Sequence, residues 1–414
     1  MIPEEYFKKE GEHIEGFAPE VFWVTEAGGE KLEQRYAMRP TSETAMYSMY
    51  SLWIQGKKDL PLKIYQSCQV WRCETKATKP FIRSREFHWI EAHDVFATKE
   101  EAEAQVREDM EMAESVIHNV FGVPFMFLRR PQWDKFAGAV DTFAADSLMP
   151  DGKALQLPST HLLRQNFSKP FNVKYMDETG KSEYCWQTCY GPAISRIYAA
   201  VIAVHGDSHG LVLPFELAPL QVVVVPIYKD ETKETVLNEC RKLKDEIYSL
   251  GYSVKLDDST NTPGWKFNHW ELHGVPIRLE IGERDLKNNQ LTVARRDLPK
   301  KEQIMRSELS SYLKTSSSEL TKNLLSKADA WFKAMLSEAT SMDQLNKILD
   351  EKGGFVKVPF CTDSMEGKAC AEIVKEKTKG NMRGSRFGDK GKVEGNCIAC
   401  GKKSSVYLYS ARQY

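Results

Sequence analysis

The chain predicts an α+β protein of three units, and three features carry that expectation. The region up to Leu213 interleaves strand and helix patterns. A β-branched run, Leu220–Pro226, then opens strand–helix–strand order. A Gly353-Gly354 pair introduces a last stretch bearing four cysteines. Taking the helical stretch before Gly353 with the last unit places the domains at 1–217, 218–310 and 311–414, each long enough to bury its own core.

In the first unit, Thr98-Lys-Glu-Glu101 reads as a capping box, and a charged amphipathic helix is expected over Glu100–Val120. In the second, Leu220–Pro226 is a buried strand by length and β-branching. Val236, Leu237, Cys240, Leu243, Ile247 and Leu250 then recur at helical spacing until Gly251 stops the helix. Tyr252–Leu256, Pro276–Ile281 and Leu291–Ala294 are further strands. Thr315-Ser-Ser-Ser318 is expected to break the next helix and to cap another through Trp331 to Leu336.

Composition excludes several classes. With 42% hydrophobic and 28% charged residues the chain is neither disordered nor collagenous. No apolar run approaches the roughly 20 residues of a membrane span, and Met-Ile-Pro-Glu-Glu is no secretory leader. Nine cysteines, an odd and scattered set, suit a reducing compartment, by default the cytoplasm. A total of 57 Lys+Arg against 58 Asp+Glu gives a net charge of −1, which does not by itself point to a nucleic acid. The stretch from Gly353 nevertheless holds 12 Lys+Arg and 6 Asp+Glu, so a neutral total can hide a basic region.

Chemistry concentrates in a few strings. Arg72-Cys-Glu74 and Arg83-Ser-Arg85-Glu-Phe87 flank a Lys- and Thr-rich loop. On paired strands they would present guanidinium groups and a ring to an anion and a base. Arg-x-Glu alone is more commonly a salt-bridged surface hairpin. The continuation, Trp89-Ile-Glu91-Ala-His93, loads one strand face with large polar groups, unusual for a core strand. Arg39-Pro-Thr41-Ser-Glu43 lies upstream. Gly191-Pro-Ala-Ile-Ser-Arg196 lies downstream and leads into a helix closed by His205-Gly206-Asp207. Cys397-x-x-Cys400 has the spacing of a metal knuckle, whereas Cys361 and Cys370 are set wider apart. The other five cysteines read as reduced thiols.

These strings resemble the prolyl-tRNA synthetase family, archaeal/eukaryotic type, within the class II aminoacyl-tRNA synthetases. The Arg72-x-Glu74 hairpin resembles motif 2, and Gly191–Arg196 resembles motif 3. The Arg-Pro-Thr-Ser-Glu, Arg-Glu-Phe-x-Trp-x-Glu-x-His and His-Gly-Asp-x-x-Gly-Leu-Val-Leu-Pro strings are similar to the same family across nearly the whole chain. The resemblance implies an antiparallel-sheet catalytic domain, an α/β anticodon-binding domain and a small α+β C-terminal zinc-binding-like domain. Against the family pattern the catalytic domain is expected to lack its N-terminal part.

The resemblance also implies roles. Arg72 and Arg196 would be catalytic, Arg72 on the α-phosphate and the amino-acid carboxylate. Glu74 would lie on the adenine side, Phe87 would stack on adenine, Arg83 and Arg196 would hold the outer phosphates, and Ser84 would position the nucleotide. Thr41 and Glu43 would meet the secondary ammonium of proline, with Trp89, Glu91 and His93 as the pocket wall. Gln156, Ser159 and His161 would form a loop facing ATP, metal and proline, with Phe17 and Glu20 near the nucleotide. Trp265, Lys266, Arg278, Glu280, Arg284 and Asp285 would meet the anticodon. Cys361, Cys370, Cys397 and Cys400 would hold structural Zn²⁺. ATP with Mg²⁺, L-proline and the tRNA for proline are the expected ligands of a homodimer without membrane or DNA partners. The competing expectations are a non-catalytic RNA-binding or regulatory relative, and the same chemistry on another amino acid.

Overall fold

The computed structural model describes residues 1–9, 11, 15–16, 21–74, 77–389 and 391–414. Phe17 and Glu20, and Lys76 of the hairpin loop, fall outside them. The chain forms two compact units.

The first unit comprises Met1–Glu114, Phe125–Ala200 and Phe332–Tyr414. Its main feature is a ten-stranded sheet, antiparallel except for one pair. In spatial order the strands are Leu336–Glu338, Phe355–Phe360, Val406–Ala411, Asn381–Arg386, Phe125–Arg129, Asp141–Leu148, Ala154–Arg164, Trp186–Gly191, Glu86–Phe96 and Leu62–Trp71. The last two form the expected hairpin, in register from Leu62↔Val95 to Trp71↔Glu86. The C-terminal strands thus extend the same sheet. The junction depends on Gly384, whose φ is +130°. A β-carbon there would lie 2.1 Å from the Arg129 carbonyl oxygen, so only glycine lets the strands approach.

Each face of the sheet has its own cover. Helix Glu43–Trp53 buries Tyr47 and Tyr50 against Val95, Phe167 and Phe171. On the opposite side helix Lys99–Ala113 lays Ala102, Val106 and Met110 against Phe96 and Leu162. The Thr98–Glu101 capping box is present, with the Glu101 amide donating to Thr98 Oγ1 at 3.3 Å and the Thr98 amide donating to Glu101 at 3.0 Å. The α-helix is shorter than expected: after Ala113 it passes into a π-turn, Glu114–His118.

The second unit comprises Ser115–Pro124 and Val201–Trp331. Its five strands run Val254–Leu256, Val222–Ile227, Ile277–Gly282, Gln290–Arg295 and Glu302–Met305, parallel across the first three and antiparallel beyond. The unbroken valine run is explained by burial on both faces. Val222 and Val224 meet the expected helix, Lys233–Ser249, through Val236, Leu243 and Ile247. Val223 and Val225 meet Trp270 and Val275. The expected break at Thr315–Ser318 does not occur: one helix runs Leu309–Ala334. Ser317 and Ser318 donate to the carbonyls of Lys314 and Thr315 at 2.9 and 3.0 Å, so these hydroxyls bond back along the helix instead of ending it. Among the described residues no helix is long and apolar enough to cross a membrane.

Candidate active site

Strand alternation aims Trp89, Glu91 and His93 into one cavity, as their spacing of two predicts. Thr41 and Glu43, at the start of helix Glu43–Trp53, close one side. Several of the pocket's polar groups bond to one another. Glu91, 2% exposed, accepts from Gln66 at 2.7 Å and from Ser42, and meets His93 Nε2 at 3.0 Å. His93 Nδ1 lies 3.2 Å from the Tyr47 hydroxyl, and Thr41 donates to Glu43 at 2.5 Å. Burial pushes both members of the Glu91–His93 pair toward neutrality, but their mutual attraction overrides it. Glu91 is drawn down to about 2 and His93 is raised above its ordinary value.

Cys189, next to this group, was not among the expected site residues. Its donor atom and those of Glu43 and His93 lie within 4.8 Å of one another. Burial, with Glu43 beside it, pushes the Cys189 thiol well up, and the raised His93 keeps its ring proton. Both ring nitrogens of His93 already face partners outside this trio, Glu91 and Tyr47.

Gln156, Ser159 and His161 all line the same cavity, on strand Ala154–Arg164 and not on the expected loop. Positions 156 and 159 would face opposite ways on a regular strand. The partners Asp146↔Gln156 and Ala144↔Ser159 show how they come together: two steps on one strand match three on the other, a bulge that restores both to one face. His161 is fixed by Thr142 at Nδ1 (2.9 Å) and Ser159 at Nε2 (3.0 Å). Burial, then the Arg130 charge, lowers it to about 3, so it is a neutral imidazole.

Arg72, Glu74, Arg83, Ser84, Phe87 and Arg196 line a second cavity. The expected strand alternation does not place the arginines, because pairing stops at Trp71↔Glu86. Loop bonds place them instead. The Arg72 amide donates to Arg85 O at 2.8 Å, Arg72 Nε and Nη2 donate to Pro40 O at 3.2 Å, and Arg83 pairs with Glu74 at 2.6 Å. Arg196, on helix Ile194–His205, donates to Ile82 O at 2.8 Å. Burial, then Arg72 and Arg83, lowers its guanidinium to about 10. The Arg72 guanidinium also lies 5.6 Å from the Phe87 ring centre and 5.5 Å from that of Trp89. Arg72, Phe87 and Arg196 line both cavities, so the polar pocket and the cationic one meet at these side chains.

The cavity also takes residues that no motif announced. Arg130, Asp134, Phe136 and Thr142 line it. Their signal is tertiary: Arg130 is an interior residue only because Asp146, sixteen positions on, neutralises it.

In the same unit, the sulfurs of Cys361, Cys370, Cys397 and Cys400 converge within 4.8 Å of one another. The wide first spacing is explained by position: Cys361 follows strand Phe355–Phe360 and Cys370 sits in helix Lys368–Thr378. Four converging sulfurs fit a tetrahedral Zn²⁺ site.

In the second unit the expected anticodon residues divide. Trp265 is exposed and stacks on His269 at 4.8 Å, and Arg284 is exposed. Lys266 departs from expectation: it is 2% exposed and donates to Asp257 O at 2.8 Å, so its charge supports the fold. Arg278 and Glu280 are buried and paired with each other at 3.1 Å, with Glu271 and Lys301 as outer partners. Asp285 caps its own helix through the Gly282 amide at 2.9 Å.

Three family models match the chain: the class II tRNA synthetase core domain (G, H, P, S and T) over residues 22–205, the anticodon binding domain over 221–316, and the prolyl-tRNA synthetase C-terminal domain over 342–414. The chain is 54% identical to the proline–tRNA ligase of Thermofilum pendens over all of its own length and 85% of that protein. It is 41% identical to the enzyme of Pyrococcus abyssi over all of its length and 86% of that protein. Among solved structures it superposes on Giardia lamblia prolyl-tRNA synthetase in complex with prolyl-adenylate with a TM-score of 0.96 and 37% identity, covering all of this chain and 86% of that one. The ordered motifs, the sheet and these full-length matches together show that the chain belongs to the prolyl-tRNA synthetase family of class II aminoacyl-tRNA synthetases.

Proposed function

We infer that this chain activates L-proline with ATP to prolyl-adenylate and transfers the prolyl group to the 3′ end of the tRNA for proline. The observation that carries this reading is the wall shared by the two cavities, where Arg72 and Arg196 stand between a polar pocket and a cationic one. The proline carboxylate attacks the α-phosphorus of ATP and pyrophosphate leaves. The terminal ribose hydroxyl then attacks the prolyl carbonyl and AMP leaves. The first step requires no general base, because the carboxylate is already ionised at neutral pH. It requires positioned cations.

Arg72 then spans the α-phosphate and carboxylate, Arg83 and Arg196 hold the outer phosphates, and Phe87 stacks on adenine beside Glu74 and Ser84. Thr41 and Glu43 accept the secondary ammonium, while Trp89, Glu91, His93 and the neutral His161 enclose the ring. Gln156 and Ser159 serve the nucleotide. The cationic cavity offers one carboxylate, Glu74, already engaged by Arg83. Mg²⁺ would therefore come with the nucleotide and would offset phosphate charge there. Zn²⁺ would be held by Cys361, Cys370, Cys397 and Cys400, where it ties a strand end to a helix. Trp265 and Arg284 present stacking and charge to the anticodon. The same reading keeps domains at 1–217, 218–310 and 311–414 in a cytoplasmic homodimer.

A non-catalytic relative would be expected to lose its motif arginines, and Arg72, Arg83 and Arg196 are all in place. Charging of an unmodified proline tRNA transcript with labelled proline tests the reading. Proline-specific, ATP-dependent charging is expected; a folded protein that charges no transcript overturns it.

A further inference from the structure

Asp146 belongs to none of the expected motifs. It stands within strand Asp141–Leu148 with no solvent exposure. Both of its carboxylate oxygens receive two guanidinium groups. Arg130 Nη1 and Nη2 donate at 2.9 and 2.6 Å, and Arg383 Nε and Nη2 donate at 2.8 and 3.2 Å. Arg130 and Arg383 are themselves buried. Burial opposes the charge on Asp146, but Arg130 and then Arg383 hold it at about 2, so the clamp is ionic at every working pH.

Arg130 has one further partner that matters. Its Nη2 donates to Gln156 Oε1 at 2.9 Å. A guanidinium has donors and no acceptor, so Gln156 must turn its oxygen toward Arg130. The amide −NH₂ is then the group Gln156 keeps for a ligand in the cavity it lines. An amide free to flip would offer its oxygen to an anion and repel it. Arg383, the other half of the clamp, also bonds Arg130 Nη1 through its own carbonyl at 2.6 Å.

We propose that Asp146 is a positioning residue: by clamping Arg130 it fixes the Gln156 amide so that its −NH₂ donates to an oxygen of the bound nucleotide. This rests on the adenylate-forming reading above.

The test is ATP–pyrophosphate exchange with proline, on the full chain, for the wild type, Asp146→Asn, Gln156→Leu and the double variant. Each is assayed about ten degrees below its own unfolding midpoint, so that all are folded. Each single variant should raise KM for ATP at least about fivefold and leave KM for proline within about twofold, and the double variant should be no worse than the poorer single. Multiplying effects, an unchanged KM for ATP, or a shift in KM for proline overturns the proposal. If Asp146→Asn does not fold, Gln156→Glu decides: its carboxylate still accepts from Arg130 but has no donor. A loss of exchange of at least about tenfold supports the proposal, and exchange within about twofold of wild type overturns it. Wild-type exchange with additive variants overturns this proposal alone. No exchange by the wild type overturns the parent reading together with it.

Discussion

Glu91 and His93, two positions apart on one strand, meet at 3.0 Å with 2% and 1% of their surfaces exposed. Folding draws Glu91 from 4.5 down to about 2 and raises His93 above 6.5. The Glu91 contribution is complete above about pH 4.5 and is lost as the pH falls through 2. The His93 contribution is complete below about pH 6.5 and is lost as the pH rises through the folded-state value of the ring. Both act between those limits. His93→Gln should therefore cost about 3–5 kcal/mol near pH 5.5, with the gap to wild type narrowing on the alkaline side, as read by thermal unfolding across pH.

Asp94 faces the other side of the same strand and behaves oppositely. Burial, then repulsion from Asp109, pushes its carboxyl up to about 7. Folding thus takes up a proton between about pH 4 and 7, and stability falls as the pH rises through that window. Asp94→Asn should raise stability at pH 8 by on the order of 2 kcal/mol and flatten the pH profile. Unfolding midpoints at pH 5 and 8 check this; equal effects at both would contradict it.

Trp265 and Lys266 are neighbours with opposite expected outcomes. Lys266→Ala removes a buried donor to Asp257 and should lower stability by about 1–3 kcal/mol. Trp265→Ala, on the exposed side, should leave stability nearly unchanged and raise KM for tRNA without changing proline activation. Unfolding and charging measurements on the two variants separate these roles.

The four converging sulfurs should hold about one Zn²⁺ per chain. Removal by a strong chelator should lower the unfolding midpoint, and Cys397→Ser should reproduce the loss. Elemental analysis after chelator-free purification checks it; less than about a tenth of an equivalent would contradict the assignment.

Much of the site was legible because its spacing is short-range. Trp89, Glu91 and His93 need only strand periodicity, and Thr98 with Glu101 needs only one helical turn. What escaped is tertiary. The bulge that brings Gln156 round to Ser159 is a property of a pair of strands, not of one. The Arg383–Asp146 bond joins residues 237 positions apart. Lys266 reads as a solvent-facing charge until Asp257 is placed beside it, and the serine run reads as a break until the Ser317 and Ser318 hydroxyls turn back onto the helix. The extension of the catalytic sheet by C-terminal strands likewise depends on one close approach, at Gly384.

Arg72 is the residue proposed to stand where the proline carboxylate meets the α-phosphate. ATP–pyrophosphate exchange with proline, cysteine, alanine and threonine in turn tests it most directly, on the wild type and on Arg72→Ala. Exchange should be strongest with proline, weaker with cysteine and alanine by the roughly 1–3 kcal/mol that small apolar differences allow, and reduced at least about 100-fold by Arg72→Ala. A folded wild type that exchanges with none of the four, or an Arg72→Ala variant that exchanges like wild type, would contradict the account.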